Sequence, residues 1–307
     1  MVGLLFPGQG SQYVGMGRDL ADTYPAARAV FERADEALGT SLTDVIWNGP
    51  DDALTATHNA QPAILTHSVA VHAVVADSLG EVGLAAGHSL GEFSAHVAAG
   101  TLAFEDAVRA VRRRGELMHE AGQERPGTMA AIIGLDDDAV ERVCRQAAEA
   151  GGDCVPANFN SPGQVVISGD EPAVARAMEM AKEAGAKRAL PLNVSGAFHS
   201  PLMAAAESGL RDHLEEVDFS APRFPVVSNV SAEPVSDPEE ARRLLIEQLT
   251  SPVRWTASMH TILERDPDRL VELGPDRVLA GLMRRIERSA DVVSVDTAEQ
   301  VNSFLEG

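Results

Sequence analysis

Gly87-His88-Ser89-Leu90-Gly91 is the segment that most restricts the fold of this chain. It follows a short apolar run, Val82–Ala86, and precedes a helical pattern over Glu92–Ala99. Strand, sharp turn and helix in that order make the repeating unit of α/β folds with a parallel sheet. The segment also fits G-x-S-x-G, in which two glycines admit a strained turn and lift a serine hydroxyl clear of the sheet. The helix that follows presents unpaired N–H groups and the positive end of its dipole to developing negative charge. Five residues match many loops by chance, so the motif takes its weight from where it sits.

The remaining pattern is of the same kind. Val2–Phe6 reads as a buried strand ended by Pro7 and the turn Gly8-Gln9-Gly10. Helical spacing follows Pro25 (Ala29, Val30, Ala34, Ala37) and recurs over Gln61–Leu79 and Glu105–Ala121. From about Arg125 to Gly196 the texture changes. Strand Thr128–Ile133, helix Asp136–Ala150, strands Cys154–Phe159 and Gln164–Ser168, helix Glu171–Ala184 and strand Arg188–Leu192 give the ferredoxin-like order βαββαβ. Strands at Pro225–Ser228, Leu270–Leu273 and Val292–Val295 then alternate with helices at Pro238–Leu249, Arg277–Ile286 and Glu299–Leu305. The expected fold is α/β: a hydrolase-like parallel-sheet core of residues 1–124 and 197–307, with a ferredoxin-like subdomain inserted as residues 125–196.

Composition excludes several function classes. Among 307 residues, 46 acidic side chains against 25 basic ones leave a net charge of -21, the wrong sign for a nucleic-acid or anionic-membrane surface. Nearly all the positive charge is arginine, since Lys182 and Lys187 are the only lysines. No apolar run approaches the roughly 18 residues of a membrane span, and the opening residues lack the basic start of a secretory signal. A soluble, cytoplasmic protein is expected. Cys144 and Cys154 have neither disulfide-framework nor zinc spacing, and no histidine or carboxylate cluster has metal-ligand spacing, so no metal is expected. Tyr13 stands where a dinucleotide fingerprint needs its third glycine, and no lysine completes a P-loop after Gly15.

A serine nucleophile needs a base. His88 adjoins the serine, but a tight turn directs its side chain elsewhere. His199 lies in Gly196-Ala197-Phe198-His199-Ser200-Pro201, where the chain leaves the inserted segment, and such junction loops line clefts. Arg114 falls on the apolar stripe of its helix with Ala107, Val111 and Met118, whereas Arg112 and Arg113 point away. A buried guanidinium is costly unless paired with an anion. That anion is either a carboxylate elsewhere in the chain or one carried by a substrate.

Taken in order, the motifs resemble those of malonyl-CoA:acyl-carrier-protein transacylases. They are Phe6–Gln12 (FPGQGSQ), Asn59–Leu65, Gly87–Glu92 (GHSLGE), Arg114–Met118 (RGELM), Asn158–Gly169, Gly196–Met203 (GAFHSPLM), Gln248-Leu249 with Pro252-Val253 and Trp255, and Glu272–Leu282. The resemblance implies a ping-pong transfer of malonyl from malonyl-CoA to the phosphopantetheine thiol of an acyl carrier protein, for fatty-acid synthesis. It implies Ser89 as nucleophile, His199 as general acid and base, and the N–H groups of Gln9 and Leu90 as the oxyanion hole. Arg114 would hold the malonate carboxylate, with Gln61, Met118 and Phe198 in the substrate pocket. Gln248 would orient His199 through its main-chain carbonyl. No cofactor is implied, and a monomer is expected. The bulk of Phe198 leaves little room for a methyl branch on the substrate. A serine hydrolase and an inactive carrier-binding scaffold are the competing readings.

Overall fold

The computed structural model describes residues 1–307. Ten strands form two sheets: β1 (Val2–Phe6), β2 (Val82–Gly87), β3 (Thr128–Ile133), β4 (Cys154–Ser161), β5 (Gln164–Gly169), β6 (Arg188–Pro191), β7 (Val226–Val227), β8 (Pro234–Val235), β9 (Arg269–Leu273) and β10 (Val292–Val295). The larger sheet has the order β10-β9-β1-β2-β7-β8 and is parallel except at the β7–β8 edge. Parallel strands are buried on both faces, and the packing of β1 obeys that rule. Val2, Leu4 and Phe6 join a core with the helices Pro25–Leu38, Thr57–Val75 and Phe104–Glu124. Leu5 faces the other way, toward helices Trp255–Leu263 and Val278–Ile286.

The second sheet is antiparallel, in the order β4-β5-β3-β6. With helices Asp137–Glu149 and Glu171–Glu183 it makes the expected βαββαβ arrangement. Strand alternation divides its side chains between two cores. Ala130, Ile132, Val165 and Ile167 pack under the two helices, while Met129, Ala131 and Val166 join the large core. Two backbone bonds tie β4 to the loop before Trp255: Val253 N–H donates to the Ala157 carbonyl at 2.8 Å, and Phe159 N–H donates to that of Val253 at 2.9 Å.

The sequence reading passed over five helices: Arg18–Thr23, Leu42–Asn48, Asp51–Thr55, Ala204–Glu215 and Trp255–Leu263. The first three have at most seven residues, too few to display a 3.6-residue period. The other two carried a readable signal, with Ala206, Leu210 and Leu214 at four-residue spacing and Trp255, Met259 and Ile262 at four and three. No helix is long and apolar enough to cross a membrane.

Candidate active site

The turn between β2 and helix Gly91–Ala99 is held under strain. Ser89 sits at φ 51°, in the left-handed region that is costly for any residue with a side chain. A Cβ on Gly87 would lie 1.8 Å from the Gly91 carbonyl carbon, and one on Gly91 would lie 2.1 Å from the Phe6 carbonyl oxygen. Neither position has room for any other residue. Asn229, two residues beyond β7, supplies the bonds that a turn of this shape cannot make for itself. Its Oδ1 accepts from the Ser89 N–H at 2.7 Å, and its Nδ2 donates to the Gly87 carbonyl at 2.7 Å. The His88 ring turns away, as expected from the tight turn, with Nε2 2.8 Å from Asn160 Oδ1 and the ring tilted at 55° to that of Trp255.

His199 comes to the serine from the opposite side. Its Nε2 lies 2.8 Å from Ser89 Oγ, and its Nδ1 lies 2.8 Å from the Gln248 main-chain carbonyl oxygen. A carbonyl can only accept, so Nδ1 carries the proton and the Nε2 lone pair faces the hydroxyl. Burial, followed by the Arg114 charge, pushes the His199 pKa down to about 3, so the ring is neutral at physiological pH. The pair can take a proton from the serine and return it to a leaving group without a carboxylate as third member.

Arg114 is 1% exposed, on the buried stripe of helix Phe104–Glu124. None of its nitrogens lies within 4.0 Å of a carboxylate, so the intramolecular ion pair allowed by the sequence is not formed. Its partners are neutral. Nη1 donates to Gln61 Oε1 at 2.7 Å, and Nη2 donates to Gln248 Oε1 at 2.8 Å and to Ser89 Oγ at 3.1 Å. Nε donates to no protein atom. Burial lowers its pKa to about 10, with Glu92 opposing, which leaves the group charged at neutral pH. Gln61 is held in turn by a contact from its Nε2 to Met118 Sδ at 3.3 Å.

These side chains surround a cleft of about 360 Å³, lined also by Gln9, Leu90, Met118 and Phe198. The N–H groups of Gln9 and Leu90 donate to no other protein group. Leu90 stands at the N-terminus of helix Gly91–Ala99, where N–H groups lack intrahelical partners. A larger cavity of about 590 Å³, between β4 and helix Trp255–Leu263, contains no serine–histidine pair. Seven of the nine residues singled out from the sequence line this cleft (Gln9, Ser89, Leu90, Arg114, Met118, Phe198 and His199), while Gln61 and Gln248 lie behind it, bonded to Arg114.

Sequence reasoning missed Asn229 and Glu92. Glu92 is 1% exposed, and it accepts from Gln248 Nε2 at 2.7 Å and from the Asn229 N–H at 3.1 Å. Burial pushes its pKa up to about 7 against those hydrogen bonds and the Arg114 charge. In the sequence it reads as an ordinary acid in the first turn of a helix. It closes the GHSLGE motif, but its partners lie 137 and 156 residues away, so nothing local showed what it binds.

A parallel α/β core, a serine on a strained turn, a histidine in hydrogen-bond range and a buried cation beside them define an acyl-transfer enzyme. The acyl transferase domain family matches residues 4–302, and the chain belongs to that family. It is 46% identical to the malonyl CoA-acyl carrier protein transacylase of Bacillus subtilis (strain 168), over 99% of this chain and 96% of the relative. It is 47% identical to the protein of that name from Escherichia coli (strain K12), over 98% of each. Among solved structures, a malonyl-transacylase in complex with a type II polyketide acyl-carrier protein superposes with a TM-score of 0.95 at 44% identity, covering 99% of both chains.

Proposed function

We propose that the chain transfers malonyl from malonyl-CoA to the phosphopantetheine thiol of an acyl carrier protein, through a malonyl ester on Ser89, and so loads units for fatty-acid synthesis. The observation that carries this reading is Arg114: a buried guanidinium with no carboxylate partner, reaching to 3.1 Å from the serine hydroxyl. A hydrophobic acyl pocket would reject the charged end of a malonyl group. A planar guanidinium recognises it with two parallel hydrogen bonds. The names of the relatives point the same way.

In the first half-reaction Ser89 Oγ attacks the thioester carbonyl while His199 Nε2 takes its proton. The oxyanion accepts from the N–H groups of Gln9 and Leu90, and the CoA sulfur leaves with the proton from His199. In the second, the carrier thiol attacks the ester, His199 takes the thiol proton, and the Ser89 oxygen recovers it. The acyl group passes from thioester to ester to thioester without change of oxidation state, so no cofactor is needed. Gln248 orients the imidazole, Gln61 and Met118 hold Arg114, and Phe198 narrows the cleft against a branched acyl group.

We assign residues 1–124 and 197–307 to the core and 125–196 to the inserted subdomain, and place the protein in the cytoplasm. Every group needed comes from one chain, which suits a monomer. Carriers of this kind are acidic, so docking calls for local positive charge. Arg277, Arg284 and Arg288 line one shallow surface pocket and form no ion pair, whereas Arg112 and Arg113 are occupied by Glu116 and Glu120.

The decisive experiment is to mix the protein with malonyl-CoA and weigh it. A malonyl adduct that is discharged by carrier thiol, and that Ser89→Ala never forms, is the expected result. Free malonate released with no adduct would make the protein a hydrolase instead, and no release of CoA at all would make it a scaffold.

A further inference from the structure

Beneath Ser89 lies a buried polar cluster formed by Arg114, Gln248, Glu92 and Asn229. Glu92 is the only carboxylate bonded to it. Gln248 Nε2 and the Asn229 N–H can only donate, and the Ser228 hydroxyl beside them is free to do so, so an ionised acceptor suits all three. One consequence falls on Gln248. With its NH2 committed to Glu92 at 2.7 Å, its carbonyl oxygen must face Arg114, which it meets at 2.8 Å. Turned over, the amide would set its own N–H groups against a guanidinium that has only donors. A second consequence falls on Arg114. A buried cation needs a nearby anion, yet an anion paired with it directly would occupy the N–H groups that a substrate carboxylate must use. Glu92 stands one amide away and meets both needs.

We infer that Glu92 is a positioning residue for acyl-group selection, acting through the Gln248 side-chain amide to orient Arg114 and balance its charge without occupying it. The inference rests on the reading that Arg114 receives the malonyl carboxylate. It concerns acyl-group choice rather than the base, because His199 is held by the Gln248 main chain and not by its amide.

The test compares kcat and KM for malonyl-CoA and acetyl-CoA in the wild type, Glu92→Gln, Gln248→Leu, the double variant and Arg114→Ala. Gln248 Nε2 and the Asn229 N–H both bond Glu92 Oε2, so Glu92→Gln can keep an oxygen for them but loses the negative charge that strengthens the hold on the Gln248 amide and offsets Arg114. The malonyl-to-acetyl ratio of kcat/KM is expected to fall about tenfold, mainly through a higher KM for malonyl-CoA. Glu92→Gln is expected to lower the ratio no further once Gln248 is Leu. Equal losses for both acyl groups in Glu92→Gln, or additive losses in the double variant, would overturn the proposal. If Glu92→Gln does not fold, Gln248→Leu decides alone: it must lower the ratio, and equal losses for both substrates overturn the proposal. Arg114→Ala separates the two levels of inference. If it harms both acyl groups alike, the clamp reading itself fails. If it is malonyl-selective while Glu92→Gln is not, only the role of Glu92 fails.

Discussion

Asn229 is the residue on which the serine turn depends most directly. Replacing it by Ala leaves the part-buried Ser89 N–H and the buried Gly87 carbonyl without their partners at 2.7 Å. An unsatisfied buried polar group costs about 1–3 kcal/mol. Asn229→Ala is therefore expected to lower the melting temperature and to slow the acylation burst with malonyl-CoA; a burst of normal rate would show that the turn holds without it. A second residue-scale prediction concerns His96, which is 2% exposed and whose Nδ1 has no partner. Burial pushes its pKa down to about 3 from an ordinary 6.5. Below pH 6.5 the unfolded chain binds a proton that the folded protein refuses, so this group's contribution to stability falls as the solution is acidified. At pH 5 that amounts to about 2 kcal/mol. His96→Leu should lose less melting temperature between pH 7 and pH 5 than the wild type does, and an identical loss would refute the argument. Ser89, His199 and Arg114 could be read from the sequence because each stands in a local pattern: a strand–turn–helix motif, a junction loop, a charge on an apolar stripe. Asn229 and Glu92 could not, because only the folded chain brings their partners near.

Among elements, the contact between helices Thr57–Val75 and Phe104–Glu124 sets the relation of Gln61 to Arg114. It is close because position 115 is glycine: a Cβ there would lie 2.6 Å from His58 Cα and 2.8 Å from the Thr57 carbonyl oxygen. Gly115→Ala must push the helices apart. Overpacking of this kind costs about 1–3 kcal/mol, and the shift is carried to the 2.7 Å bond between Arg114 and Gln61. The expected result is a lower melting temperature together with a raised KM for malonyl-CoA. A stability loss with no change in KM would mean that the helix pair does not aim the guanidinium. Strands and long helices were legible because β1 alternates between two cores and helix Phe104–Glu124 repeats its buried residues with helical period. Strand β7 falls inside the strand expected at Pro225–Ser228, whereas the two-residue strand β8 and the short helices near the N-terminus were not legible. Their conformation is set by neighbours rather than by any period of their own.

Over the whole molecule, the net charge of -21 governs how an acidic carrier is met. Repulsion acts at long range, and raising ionic strength to about 0.15 M cuts its reach to about 8 Å. Moderate salt should therefore hold or lower the KM for the carrier, whereas Arg284→Glu with Arg288→Glu should raise it more than the KM for malonyl-CoA. A carrier KM that climbs steeply with salt, or is indifferent to those substitutions, would place docking elsewhere. The two backbone bonds between β4 and Val253 have a further consequence. They fasten the small sheet to the stretch of chain that begins at Gln248, while His199 itself hangs on the return path from that sheet. Anyone trimming this enzyme to a minimal parallel-sheet scaffold would keep the serine and its strained turn intact. The histidine's approach and the carbonyl that steers it would both come loose, leaving a well-formed nucleophile with nothing to deprotonate it.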